Sequence, residues 1–218
     1  MNRKRTQFKG GGLLKSEPTF GAAIQPPSTF PAPVYIDSKP YCLPASNQGQ
    51  LSACAGYAMA GIIEVWNWQM NDIYQQVDGV TIYEKALATI GGHDGDGLSL
   101  DDAVRAAEAL GLIHPNKLTR IYNLQDYMYA VHKNVVVLLG LSITENWNYV
   151  DSESGAIGTK ANAEYIGGHA VVGCGYDTVK RKFTIQNSWG EAWGCNGFAT
   201  IDFHEWSNEF MFGVSLSL

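Results

Sequence analysis

Little in this sequence supports a disulfide scaffold, a phosphate-tracking surface or a membrane anchor. Its 218 residues contain four cysteines, Cys42, Cys54, Cys174 and Cys195. They are too few to staple a chain of this size, and none forms the Cys-x-x-Cys pair that grips a metal. Basic residues are scarce: 15 Lys and Arg against 21 Asp and Glu give a net charge of −6. No basic face is left to follow a phosphate backbone, and nucleic acid is not expected as a partner. The longest apolar run, residues 135–141, falls far short of the roughly 20 residues a spanning helix requires, so no membrane partner is expected either. Arg3, Lys4 and Arg5 open the chain as a signal peptide would, yet Gly10-Gly11-Gly12 and polar residues stand where an apolar stretch should follow. That argues for a cytoplasmic protein or for export by a non-classical route. Internal repeats and heptads are lacking too. What remains, 45% apolar and 17% charged residues, suits one globular unit or two halves sharing an interface.

Residues 1–34 carry five basic residues against one acid, Glu17, followed by Pro18, Pro26, Pro27, Pro31 and Pro33. Such a stretch has no apolar periodicity and a stiff, extended geometry, so it is expected as a tail or short pro-segment before a domain at 35–218. From Ala53 to Trp68 the chain is apolar on every face, which a helix tolerates only when surrounded by protein; Ser52 is the expected N-cap. Ser99-Leu100-Asp101-Asp102 is a capping-box variant that announces a second, amphipathic helix ending at Gly111. After residue 134 the pattern changes to short apolar segments, 135–141, 170–176, 183–187 and 198–203, separated by Gly, Asp and Asn turns. Helices first and antiparallel strands second predict an α+β fold with a helical lobe over about 35–130 and a β lobe over about 131–218.

Three segments carry chemistry. In Gln48-Gly49-Gln50-Leu51-Ser52-Ala53-Cys54 a cysteine stands at a predicted helix N-terminus, where backbone N–H groups and the helix dipole favour thiolate over thiol. In Gly167-Gly168-His169-Ala170-Val171 an imidazole sits at the mouth of a strand, within reach of a thiol proton held by another segment. In Asn187-Ser188-Trp189-Gly190 an amide ends a strand, where its oxygen can accept from the imidazole and fix its tautomer, with Trp189 over that hydrogen bond.

These segments, with Trp193-Gly194 and Asn196-Gly197 behind the last, resemble in residue type and order those of the papain family of cysteine peptidases, over roughly residues 34–218. The resemblance implies a papain-like two-lobe fold, with the Cys54 helix of the helical lobe packed on an antiparallel β lobe, and a cleft between. It implies a thiol protease, an endopeptidase that hydrolyses peptide bonds in a peptide or protein substrate without metal or cofactor. Cys54 would be the nucleophile, forming a thioester, His169 the general base and then acid, and Asn187 the orienting group. Gln48 would join the Cys54 N–H in holding the oxyanion. Gly97 and Leu98 would pair with substrate backbone, and Leu139, Gly168 and Ala170 would line an apolar pocket for the second residue on the acyl side. Glu64 would be a buried structural carboxylate. Departures are the missing aromatic after the nucleophile, where Ala55 stands, and glycines and acids at 91–97 in place of a cysteine segment. Asp94-Gly95-Asp96-Gly97 is not an EF-hand: Arg105 occupies the twelfth position, where a bidentate glutamate is required.

The same Cys–His pair also serves amidases, transglutaminases and other acyl transferases, and a catalytically silent binding domain would keep the same fold. Three further expectations follow from the resemblance. Cys54 and His169 would form a thiolate–imidazolium pair. Cys42 and Cys195, both beside family segments near the active site, are the candidate disulfide, although the missing export signal argues for no bridge. The tail is too short for the family's usual helical pro-domain, so in a zymogen residues 19–30 would lie across or beside the cleft and partly cover Cys54.

Overall fold

The computed structural model of the chain describes residues 12–15, 20–114 and 117–217. Strands β1 (Ala22–Ala23) and β2 (Tyr35–Asp37) precede three helices, α1 (Cys54–Asn71), α2 (Gly79–Ile90) and α3 (Leu100–Ala109). Then come β3 (Lys117–Ile121), α4 (Leu124–Asn134), β4 (Val137–Thr144), β5 (Tyr165–Asp177), β6 (Lys182–Gln186), β7 (Phe198–Asp202), α5 (Trp206–Glu209) and β8 (Phe210–Ser217). One sheet runs in the order β1-β3-β8-β4-β5-β6-β7, with β2 paired to β5, and every pairing except β1 with β3 is antiparallel.

Helix α1 is buried from Cys54 to Val65 apart from Tyr57, as its apolar circumference demands. It packs between α2, α3 and the sheet. The approach to the sheet is set at Gly61: a methyl group there would stand 2.9 Å from Val172 Cγ2 on β5, so a larger residue would push the helix off the strand that carries His169. Ala53, not Ser52, is the N-cap, and no side chain caps the first turn. The donors there stay available to the nucleophile beside them. Glu64 is buried on α1 and accepts from Val77 N–H at 2.8 Å, and burial pushes its carboxyl up to about 7. The capping box on α3 forms in full: Ser99 Oγ accepts from Asp102 N–H and Asp102 Oδ2 from Ser99 N–H.

The core has two parts. One lies between α1–α3 and the sheet; the other fills the curl of the sheet under α4 and α5, around Tyr127, Trp147, Phe183 and Trp206. Helix α4, inside the stretch expected as helical lobe, packs with the second, because Tyr127, Ala130 and Val131 form its buried stripe. Among the described residues no helix is long and apolar enough to cross a membrane.

The described part of residues 1–34 is packed onto this body. Phe20 O accepts two hydrogen bonds from the buried Arg120 guanidinium, at 2.8 and 2.6 Å, and Arg120 is in turn ion-paired with Asp101 of α3. The Phe20 ring lies 4.8 Å from the Arg105 guanidinium and 5.3 Å from that of Arg120. Strand β1 then runs beside β3, Ile24 is buried, and Phe30 packs on Tyr129 and His132 of α4.

Candidate active site

His169 is fully buried on β5, and its Nε2–H donates to Asn187 Oδ1 at 2.7 Å. A carboxamide oxygen only accepts, so the ring proton sits on Nε2 and Nδ1 carries the lone pair. That Nδ1 is buried with no hydrogen-bond partner, the state of a base waiting for a proton. Asn187 is held from behind, since its Oδ1 also accepts from Ser188 N–H at 2.8 Å. Trp189 covers the imidazole at 4.8 Å between centroids, where the sequence predicts it, and Trp147 stands edge-on to the same ring at 6.0 Å. Trp193 stacks on Trp147 and anchors it by donating Nε1–H to its carbonyl. This aromatic wall excludes water from the His169–Asn187 bond.

Cys54 opens α1 and is fully buried. The backbone N–H groups of Ala170, the residue after His169, of Ala55 and of Cys54 itself face its Sγ and favour thiolate, but burial outweighs them and pushes the Cys54 pKa up to about 11. Burial likewise lowers His169 to about 4, against the opposing hydrogen bond from Asn187. Both shifts run against the expected thiolate–imidazolium pair while Cys54 and His169 are buried. Gln48 is buried beside them, with Oε1 accepting from Ser188 Oγ at 2.6 Å and Nε2 donating to Leu51 O at 2.8 Å. An NH₂ group has two protons, and the second remains for an oxyanion.

The chain's own N-terminal segment lies along the cleft. Leu13 N–H donates to Gly168 O (3.2 Å), Leu14 N–H to Leu98 O (2.9 Å), and Leu98 N–H to Gly12 O (2.9 Å), so Leu13 bridges Leu98 as an added parallel strand. The residues doing this are Gly12–Leu14. Residues 19–30 do not: Thr19 lies outside the described residues, and Phe20 onward follows the sheet edge and α4. The Leu13 side chain is buried in the helical-lobe core with Ala170 and Leu138. Glycines make its room, for a methyl on Gly140 would stand 2.8 Å from Leu13 Cδ2 and one on Gly168 2.7 Å from Leu13 O. Phe212 closes the pocket against Gly140. Gly97 is as tight, since a methyl there would run into Gly12 O. Leu139, expected in this pocket, points the other way and packs with Tyr127 in the second core. Side chains alternate along a strand, so the pocket takes Gly140 instead.

Sequence reasoning missed Leu13, Gly140, Phe212 and Trp147. Leu13-Leu14, an apolar pair straight after three glycines in an otherwise polar tail, was the one local signal. The four cysteines are free. Cys42 lies beside Cys174, while Cys195 stands apart, pairing its backbone with Phe198, so the expected partner of Cys42 is replaced.

A family model for papain family cysteine proteases matches residues 101–210, half of the chain; the span holds His169 and Asn187, while Gln48 and Cys54 precede it. Over 44 residues the chain is 39% identical to an uncharacterized peptidase C1-like protein of Acanthamoeba polyphaga mimivirus; the match covers 20% of this chain and 14% of the viral one. The fold is similar to the crystal structure of xylellain, a cysteine protease from Xylella fastidiosa, with TM-score 0.80, 18% identity, and 100% and 99% of the two chains covered. It is similar as well to proCathepsin B S9 from Trypanosoma congolense, with TM-score 0.75, 11% identity, and 96% and 87% covered. With this fold and a family match over half its length, the chain belongs to the papain family of cysteine proteases.

Proposed function

We propose that the chain is a cysteine endopeptidase held inactive by its own residues 12–14. The observation that carries this is the groove itself: an extended peptide lies in it on three main-chain hydrogen bonds, to Leu98 and to Gly168, the neighbour of His169, and Gly12 lies against Ser52, two residues before the buried Cys54. A groove that holds an internal segment of chain accepts a peptide running on past both ends, which an endopeptidase requires.

With the segment withdrawn, His169 Nδ1 takes the Cys54 proton and Sγ attacks the scissile carbonyl carbon. The oxyanion lies between Cys54 N–H and the second Gln48 Nε2 proton, each such donor being worth about 2.7–4 kcal/mol. The imidazolium returns its proton to the departing amine as the C–N bond breaks, leaving a thioester. A water, deprotonated by His169, then releases the acid and restores the thiol. Leu13 models the second residue on the acyl side, so peptides with leucine there are the favoured substrates.

The direction of the segment accounts for its survival. From Gly12, against Ser52, the chain runs through the pocket to Leu14 at Gly97, away from Cys54. A substrate with its acyl side in the same pocket runs toward Cys54. The reversed segment fills the groove without presenting a carbonyl in attacking geometry.

The test is hydrolysis of a fluorogenic peptide with leucine at that position by the intact chain and by a chain lacking residues 1–15. Activity in the shortened chain that Cys54→Ala removes is expected. No hydrolysis by a folded, shortened chain overturns the reading.

A further inference from the structure

Two thiols away from the cleft are placed together by strand pairing. Strand β2 runs antiparallel to β5 with Asp37 opposite Gly175, and the ladder continues as Ser38 N–H donates to Cys174 O at 2.8 Å. The chain then turns through a 3-10 helix, Lys39–Tyr41, closed by Cys42 N–H on Lys39 O at 2.9 Å. That turn swings Cys42 back over Ser38, whose carbonyl lies 3.6 Å from Cys42 Sγ. Ser38 stands across the ladder from Cys174, so the turn sets the Cys42 thiol beside the Cys174 thiol. They differ in access: Cys174 is fully buried, its Sγ also on Thr184 O, whereas Cys42 is partly exposed. A disulfide requires two cysteines on neighbouring backbone with their sulfurs converging; here the ladder brings the two segments together and the turn at Lys39–Tyr41 turns Cys42 back toward Cys174.

We infer that Cys42 and Cys174 are a two-electron redox site, with Cys42 the entry thiol and Cys174 the resolving one, taking a small-molecule disulfide of the glutathione class as oxidant. The exposed Cys42 thiolate attacks one sulfur of the oxidant and expels one glutathione thiol, leaving a mixed disulfide on Cys42. Cys174, deprotonated as it attacks, displaces the second glutathione and forms Cys42–S–S–Cys174. Two protein thiols are oxidised, one glutathione disulfide is reduced to two thiols, and the protein's two protons leave with them. The bond would tie the segment leading to Gln48 and α1 to β5, five residues beyond His169, and so staple the two sides of the cleft. The site is independent of whether the cleft hydrolyses peptides.

The experiment uses the intact chain carrying Cys195→Ser, incubated with oxidised glutathione and then with dithiothreitol, and mapped by non-reducing peptide mass spectrometry. The expected product is about 2 Da lighter, with a peptide linking Cys42 to Cys174, and its Tm rises by about 10 °C and falls again on reduction. Cys42→Ser should leave Cys174 unmodified, whereas Cys174→Ala should trap a glutathione adduct of about 305 Da on Cys42. If Cys174→Ala does not fold, the linked peptide in the parent chain still decides. An adduct on Cys42 that never resolves, a bridge involving Cys54, or no modification overturns the site.

Discussion

The N-terminal segment is held at two places, and they are built from different physics. At the cleft, Gly12–Leu14 is held by three main-chain bonds and one leucine in a pocket walled by glycines. At the sheet edge, Phe20–Ala23 is held by a fully buried guanidinium ion-paired to Asp101, with a ring between two arginines and a strand pairing behind it. The first contact uses only groups that any extended chain carries. The second leaves two donors of a buried guanidinium without their acceptor if it is broken. On the proposed reading the first contact is a releasable plug and the second a fixed anchor.

Breaking the anchor should have the largest effect, and on stability. Arg120→Met removes the buried guanidinium that pairs with Asp101 and holds Phe20 O, for which a loss of about 3–5 kcal/mol is expected, measured by chemical denaturation. The peptidase rate of the folded fraction should change by less than about threefold. A large gain in rate with unchanged stability would reverse the roles of the two contacts.

Removing the plug should act in the opposite way. Deleting residues 1–15 should raise the peptidase rate by about 100-fold, since the groove loses a tethered competitor, with Phe20–Ala23 keeping the fold intact. The chemistry of Cys54 should change with it. In the intact chain burial holds the thiol near 11, so thiolate, the form that alkylates, is scarce at neutral pH and iodoacetamide labelling should climb only as pH approaches that value. In the shortened chain water re-enters, the burial penalty falls, and the helix N-terminus and three N–H groups bring the midpoint below the thiol's ordinary value of about 8.5. Coincident pH profiles for the two chains would show that the plug does not desolvate Cys54.

A milder change isolates the pocket. Leu13→Ala keeps the backbone bonds and removes the side chain that Gly140, Gly168 and Phe212 enclose. Loss of about 2 kcal/mol of apolar contact should raise the rate of the intact chain about 30-fold, less than full deletion. A Leu13→Ala chain as silent as the parent would mean that the main-chain bonds alone hold the plug.

How much of this was legible in the sequence depends on the range of the contact. Gln48, Cys54, His169 and Asn187 stand in segments with their own local signatures, and α1, α3 and β4–β7 follow from apolar pattern and capping. The single-residue exchange of Gly140 for Leu139 was not legible, because composition fixes the strand but not which of its faces turns to the cleft. Helix α4 went unseen, since its short stripe of Tyr127, Ala130 and Val131 is interrupted by polar residues. The Arg120–Asp101–Phe20 knot and the meeting of Cys42 with Cys174 join residues far apart in the chain, and only the topology brings them together. Proline content suggested that residues 19–30 would lie in the groove, but the occupant is the part with glycine and leucine, which can press its backbone against other backbone.

The two contacts share one support, and the smallest effect tests it. Leu98, which pairs with the plug, is followed directly by Ser99, the N-cap of α3, and Asp101, the partner of the anchor, lies in the first turn of the same helix. The Ser99–Asp102 capping box thus holds both at once. Asp102→Ala removes the bonds from Ser99 N–H and Ser99 Oγ to its carboxylate but leaves Ser99 Oγ as acceptor for the first turn, so a loss of about 1 kcal/mol is expected. If the plug leans on the position of Leu98, the intact chain should gain about two- to fivefold in rate, while the chain lacking residues 1–15 should gain nothing. An equal change in both chains would place the effect in the cleft itself, and no change in either would mean that β-type pairing at Leu98 is held by the core rather than by the cap.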